Sequence, residues 1–223
     1  GWWLVHGRGP QGLGPSGSAW DAWMMGVATL SVLGLAVVMV LWPTFSDAYA
    51  GTPLLGRMDD ALPGSLWSNW WVQQWYLGEQ ELLFSDAIFW PQGAHLVPLI
   101  GNLGASLLSI PFQQVGAYPD YWNIWIGCCL LANGLATFWL ARQVGADRVG
   151  ALLAGLAMTL AAPVLVEVNG GHQSQFLVAG LPICIGLSLR VLDLNGRWDV
   201  WLLGLALSVT SLIWWVMGGV AWV

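Results

Sequence analysis

Six apolar stretches follow one another along this chain, at residues 20–42, 96–117, 120–141, 149–168, 173–192 and 198–223. A hydrocarbon layer about 30 Å thick is crossed by about 20 helical residues. No water reaches backbone N–H and C=O groups there, so a spanning segment must satisfy them within its own helix. The composition agrees. The 223 residues are 57% apolar and 8% charged, with a mean hydropathy of +0.65, whereas soluble domains are about 25% charged. The expectation is an all-α polytopic membrane protein embedded in a lipid bilayer.

Arginine placement sets the number of crossings. Arg142 and Arg148 flank one short loop, and Arg190 and Arg197 another. The positive-inside rule puts both loops in the cytoplasm. Arg8 puts the N-terminus inside as well, so the first span, Trp20 to Trp42, ends outside at Pro43. The stretch 96–117 then cannot cross. Its Pro98, Gly101, Asn102, Gly104 and Pro111 suit a short interfacial or re-entrant helix. About five transmembrane helices result, with the C-terminus outside; six crossings would put Arg142 and Arg148 outside. Residues 1–19, rich in glycine, read as a mobile N-terminal tail, and 20–223 as one transmembrane helical domain. No signal-peptide pattern appears. A chain that begins at Gly1 without methionine and stops at Val223 within an apolar run is expected to be processed or part of a longer one.

The outside loop 43–120 is too long for a simple connector. It holds seven of the twelve acids (Asp47, Asp59, Asp60, Glu79, Glu81, Asp86 and Asp120) and one basic residue, Arg57. With a net charge of −6 and no basic patch, nucleic acid is excluded as a partner. Trp67, Trp70, Trp71 and Trp75 recur at helical spacing, with Leu62 and Leu66 on the same face. This predicts an amphipathic helix from Leu62 to Leu77 lying in the outer interface, its rings at headgroup depth or against a neighbouring protein. Asp59 or Asp60 would cap it.

Adjacent carboxylates at a membrane surface suit a divalent cation, a general base, or a cap with a solvated neighbour. Pro91-Gln92-Gly93 marks a turn, so His95 is expected near the start of the next helix, able to meet a phosphate or to sit as a polar interfacial residue. The second outside loop is dense in polar groups: Glu167, Asn169, Gly170, Gly171, His172, Gln173 and Gln175. Such groups at a span boundary face protein or water. If the bundle closes, Glu167, His172 and Gln173 share the outer face with Asp59, Asp60 and His95. Asn123, Asn133 and Thr137 are expected to bond between helices. Cys128, Cys129 and Cys184 show no metal spacing and read as small buried hydrophobes.

The order of these features carries a resemblance. A span, an outside acidic motif, a tryptophan-rich segment, Trp90-Pro91-Gln92-Gly93, and a Pro-bounded helix precede Asn123. Leu140-Ala141-Arg142, an Ala/Gly-rich span ending near Pro163, and Gly171-His172-Gln173 follow. Over residues 20–195 the chain resembles the N-terminal half of the GT-C-type polytopic membrane glycosyltransferases and their uncharacterised bacterial relatives. The resemblance implies a bacterial inner-membrane protein that transfers a sugar from a polyprenyl-phosphate donor at the outer face. It implies Asp59 or Asp60 as base or metal ligand and His172 as a donor-phosphate contact. Such enzymes usually have eight or more spans. The alternative is a non-catalytic accessory subunit of a larger membrane protein complex, built on the same scaffold.

Overall fold

A computed structural model describes residues 19–46, 54–96, 102–116, 118–192 and 197–213. The expected tail, Arg8, the turn at Pro98 and Gly101, and residues 214–223 of the last apolar stretch lie outside the described residues. The described chain is almost entirely helical. In order come α1 (Ala19–Ser46), α2 (Leu62–Tyr76), a hairpin of β1 (Phe84–Ser85) and β2 (Ala94–His95), α3 (Leu103–Val115) and α4 (Tyr121–Gln143). Then come α5 (Arg148–Thr159), α6 (Ala162–Gly170), α7 (Gln173–Phe176), α8 (Gly180–Leu192) and α9 (Arg197–Ile213).

Among the described residues, four segments are long and apolar enough to cross a membrane: Trp23–Trp42, Tyr121–Gln143, Arg148–Gly170 and Gln173–Leu192. Trp198–Ile213 is a shorter apolar helix. The protein is therefore an all-α polytopic membrane protein. Among the described residues of the stretch 96–117 the helix is α3, 13 residues long. At 1.5 Å per residue that spans about 20 Å, too short for a crossing.

Two spans are broken, and one does not stop where expected. Pro163 lies in the first turn of α6; it has no N–H to give the preceding turn, and the helix interrupts at Leu160–Ala161 between α5 and α6. The segment from 173 divides into α7 and α8. Pro43, expected to end the first span, does not: α1 continues to Ser46.

The central helix is α4, which packs on α1, α3, α5, α7 and α8. Close approach depends on small residues. A Cβ on Gly155 would stand 2.8 Å from the Gly134 carbonyl oxygen, and one on Gly134 would meet the Thr159 hydroxyl, so α4 and α5 cross backbone to backbone. The core gathers Val37 and Leu41 of α1, Leu62 and Leu66 of α2, and Tyr121, Trp122, Trp125 and Ile126 of α4 around Val164, Val168 and Phe176. Asn133 bonds between helices as expected: its amide donates to Phe176 O at 2.7 Å and its oxygen accepts from Val178 N at 3.0 Å. These bonds satisfy the backbone freed by the break before α8. Thr137 instead donates to Asn133 O within its own helix. Cys129 and Cys184 are buried; Cys128 faces outward.

Chain direction alternates through these segments. The 54–61 loop, the start of α4 and the end of α6 meet at one end: Leu55 N donates to Asn123 Oδ1 at 2.9 Å, and Ala61 N to Gly170 O at 3.0 Å. Arg142 and Arg148 lie at the other end of α4, about 34 Å away for 23 helical residues. Arg190 of α8 pairs there with the buried Asp199 of α9 at 2.8 Å.

Candidate functional site

The loop before α2 docks on the turn after α6. Gly171 makes this contact. Its φ is +80°, in the left-handed region, and a Cβ there would lie 2.6 Å from Leu62 Cα. Only glycine fits both demands. Ser65 Oγ donates to Gly171 O at 2.7 Å, and Ala61 N to Gly170 O. Two segments far apart in sequence are thereby held by one backbone bond and one bond from a buried serine side chain.

This docking places Asp60 against His172, with Asp60 Oδ1 3.6 Å from Nε2. On the other side of the ring, Nδ1 stands 3.1 Å from Glu167 Oε2, without hydrogen-bond alignment. Gln175, with its amide nitrogen turned to Glu167, donates to the same carboxylate at 3.1 Å. The imidazole thus sits between two carboxylates, and all three side chains are partly exposed. Of the residues expected to converge, Asp60, Glu167 and His172 do so.

Asp59 takes a different partner. Arg57 donates to it twice, Nε to Oδ1 at 3.1 Å and Nη2 to Oδ2 at 2.8 Å. This fork holds the Asp59 carboxyl below the usual carboxylate range, first through the hydrogen bond and then through the charge of the guanidinium. The expected cap on α2 is absent: the helix starts at Leu62, so Ala61, which has no side-chain acceptor, occupies the N-cap position. The neighbouring carboxylates face different groups, and no set of three His, Cys, Asp or Glu side chains able to hold a metal occurs among the described residues.

His95 does not open a helix. It lies in β2 opposite Phe84, exposed, with its ring edge on the Phe84 ring at 5.5 Å. No hydrogen bond or ion pair among the described residues joins it to Asp60 or His172.

Gln173 turns into the core rather than outward. Its Nε2 donates to Asn69 Oδ1 at 2.9 Å, Ser106 Oγ at 3.1 Å and Ser68 Oγ at 3.3 Å. Asn69 Nδ2 donates to Tyr121 Oη at 3.1 Å, and Gln113 Nε2 to Asn69 O at 3.2 Å and to Ser109 Oγ at 2.9 Å. This buried network ties α2, α3 and α4 to the 172–176 turn. Ser65, Ser68 and Asn69 interrupt the tryptophan run at helical spacing, a signal for a second, polar face on α2.

The tryptophan face is corrected accordingly. Trp71 is buried, stacks on Trp67 at 5.5 Å and donates to Glu81 O at 3.0 Å. With Leu96 it forms a second core, against which Trp67, Trp70, Leu82, Ile88 and Leu103 pack. The hairpin covers the face expected to meet headgroups; Trp75 alone of the four tryptophans is exposed.

No family model matches the chain, and no curated protein or solved structure is significantly similar to it.

Proposed function

We propose that this chain is a GT-C-like membrane glycosyltransferase, or its N-terminal portion, acting on a polyprenyl-phosphate-linked sugar at the outer membrane face. The supporting observation is the placement of Asp60 beside His172 at the arginine-poor end of the bundle. Asp60 acts as the general base. It takes the proton of the acceptor hydroxyl as that oxygen bonds to the anomeric carbon. The bond from that carbon to the phosphate oxygen breaks, and its electron pair leaves with the polyprenyl phosphate. His172 contacts the departing phosphate, with Glu167 on the other side of its ring.

A second reading is favoured by the way these groups satisfy one another. Asp60, His172, Glu167 and Gln175 close a clasp between two loops, as an accessory subunit of a larger membrane complex would use to fix its outer surface.

Transfer of labelled sugar from a polyprenyl-phosphate donor, measured in membranes carrying the chain within its native reading frame, tests both. Activity lost in Asp60→Asn supports the enzyme. Full transfer in the Asp59→Asn, Asp60→Asn double variant removes Asp60 as base, and a parent without transfer leaves the subunit.

A further inference from the structure

The hairpin that covers Trp71 presents aromatic rings of its own. Phe89 and Trp90, at its turn, are 75% and 79% exposed, although both are large and apolar. The turn is built firmly. The Phe89 carbonyl accepts from Gln92 N at 3.1 Å and Gly93 N at 3.2 Å, and Phe89 itself holds φ +55°. That region is uncommon for a bulky residue. Below the turn, Ser85 pairs with Ala94 and Phe84 with His95, and Leu96 N donates to Leu83 O at 2.9 Å. At the root, Leu96 and Trp71 are fully enclosed.

The depth of this root is set by its neighbours. Asn69 of α2 bonds Tyr121, the first residue of α4, and Phe112 of α3 packs on Trp125 at 5.3 Å. Trp125 lies one turn into that span, about 6 Å along its axis. On the other side, Gly104 of α3 touches the backbone of α9 at Leu212 and Ile213. The α2–α3 layer therefore sits level with the first turn of α4 and the last turn of α9, the depth at which a membrane-spanning bundle meets the interface. The local charge narrows the partner further. Glu79, Glu81 and Asp86 are exposed on the hairpin and its approach, and no lysine or arginine occurs between Met58 and Asp120.

We propose that the Phe89–Trp90 turn is a membrane anchor that inserts its rings into the interface of neutral, zwitterionic phospholipid. Tryptophan and phenylalanine partition to that depth, where an apolar body and a polar surround are both met. With Trp71 buried, Phe89 and Trp90 are the most exposed aromatic rings among the described residues of the loop, ahead of Tyr76, Tyr118 and Trp75. Anionic headgroups play no part, because the surrounding carboxylates repel them. The anchor holds the outer loop down, independently of any chemistry at Asp60.

The test uses the whole chain in nanodiscs of phosphatidylcholine, with p-benzoylphenylalanine replacing Trp90. The same photo-crosslinker at Leu205, exposed on α9, serves as a reference for lipid contact. Irradiation is expected to add the mass of one phospholipid at position 90, with a yield comparable to that at 205 and unchanged when phosphatidylglycerol replaces part of the lipid. A lipid adduct at 205 but none at 90 overturns the proposal. So does a yield at 90 that rises with anionic lipid, or one that falls when soluble oligosaccharide is added, which would mark a sugar platform instead. Folding is checked by the melting profile of the labelled chain.

Discussion

His172 Nε2 stands 3.6 Å from Asp60 Oδ1, and the backbone bond from Ala61 N to Gly170 O fixes that separation. The two residues lie in different loops, and each already has its neighbour: Arg57–Asp59 beside Asp60, Glu167 beside His172. The carboxylates at 59 and 60 therefore differ in what they can do.

Asp60→Asn should lower sugar transfer by about 10²–10⁴-fold, the contribution of a positioned general base. Asp59→Asn should leave most of it, since that side chain is turned to Arg57. Initial rates in membrane vesicles decide the matter; equal losses in the two variants would break the assignment.

Gly171→Ala should destabilise the docking of the 54–61 loop on the turn after α6. The left-handed backbone costs a non-glycine residue about 1–3 kcal/mol, and the contact with Leu62 adds to it. A lower melting temperature in detergent is expected, together with easier proteolysis of the 54–61 loop.

Gln173→Leu should cost about 1–3 kcal/mol, the penalty for buried polar groups left without a donor. Asn69 Oδ1, Ser68 Oγ and Ser106 Oγ all lose the same N–H group. A double-variant cycle with Ser106→Ala should show coupling of about 0.5–3 kcal/mol. Strict additivity would mean that the network acts as separate pairs.

The Arg57–Asp59 pair makes a pH prediction. Its folded-state pKa is depressed by Arg57, so the contribution of Asp59 is present above the ordinary carboxylate pKa and is lost as pH falls through the folded value. Both side chains are exposed, so the change in stability should be small. The carboxyl carbon resonance of Asp59 should titrate below the normal range and return to it in Arg57→Gln.

Gln92→Cys and Val144→Cys test sidedness, both positions being exposed and at opposite ends of the bundle. With Cys128→Ala to remove the outward native thiol, an impermeant maleimide added to intact cells should react at 92 and not at 144. The reverse pattern would invert the orientation.

The sequence alone determined the class of fold. Runs of apolar residues near twenty in length admit no spanning structure but helices, and the short, proline-interrupted stretch at 96–117 was readable as α3 for the same reason. The polar cluster at 167–175 was legible because such residues at a span boundary must face water or protein. Which of them faces which was decided only in three dimensions. His172 and Gln173 are neighbours in sequence, yet the turn after Gly171 sends one outward to Asp60 and the other inward to Asn69. The tryptophan spacing gave the helix α2 but not its environment, since periodicity describes a face and not what covers it. The hairpin that closes over Trp71 comes from later in the chain, and its docking depends on long-range packing of Leu96, which no local pattern contains.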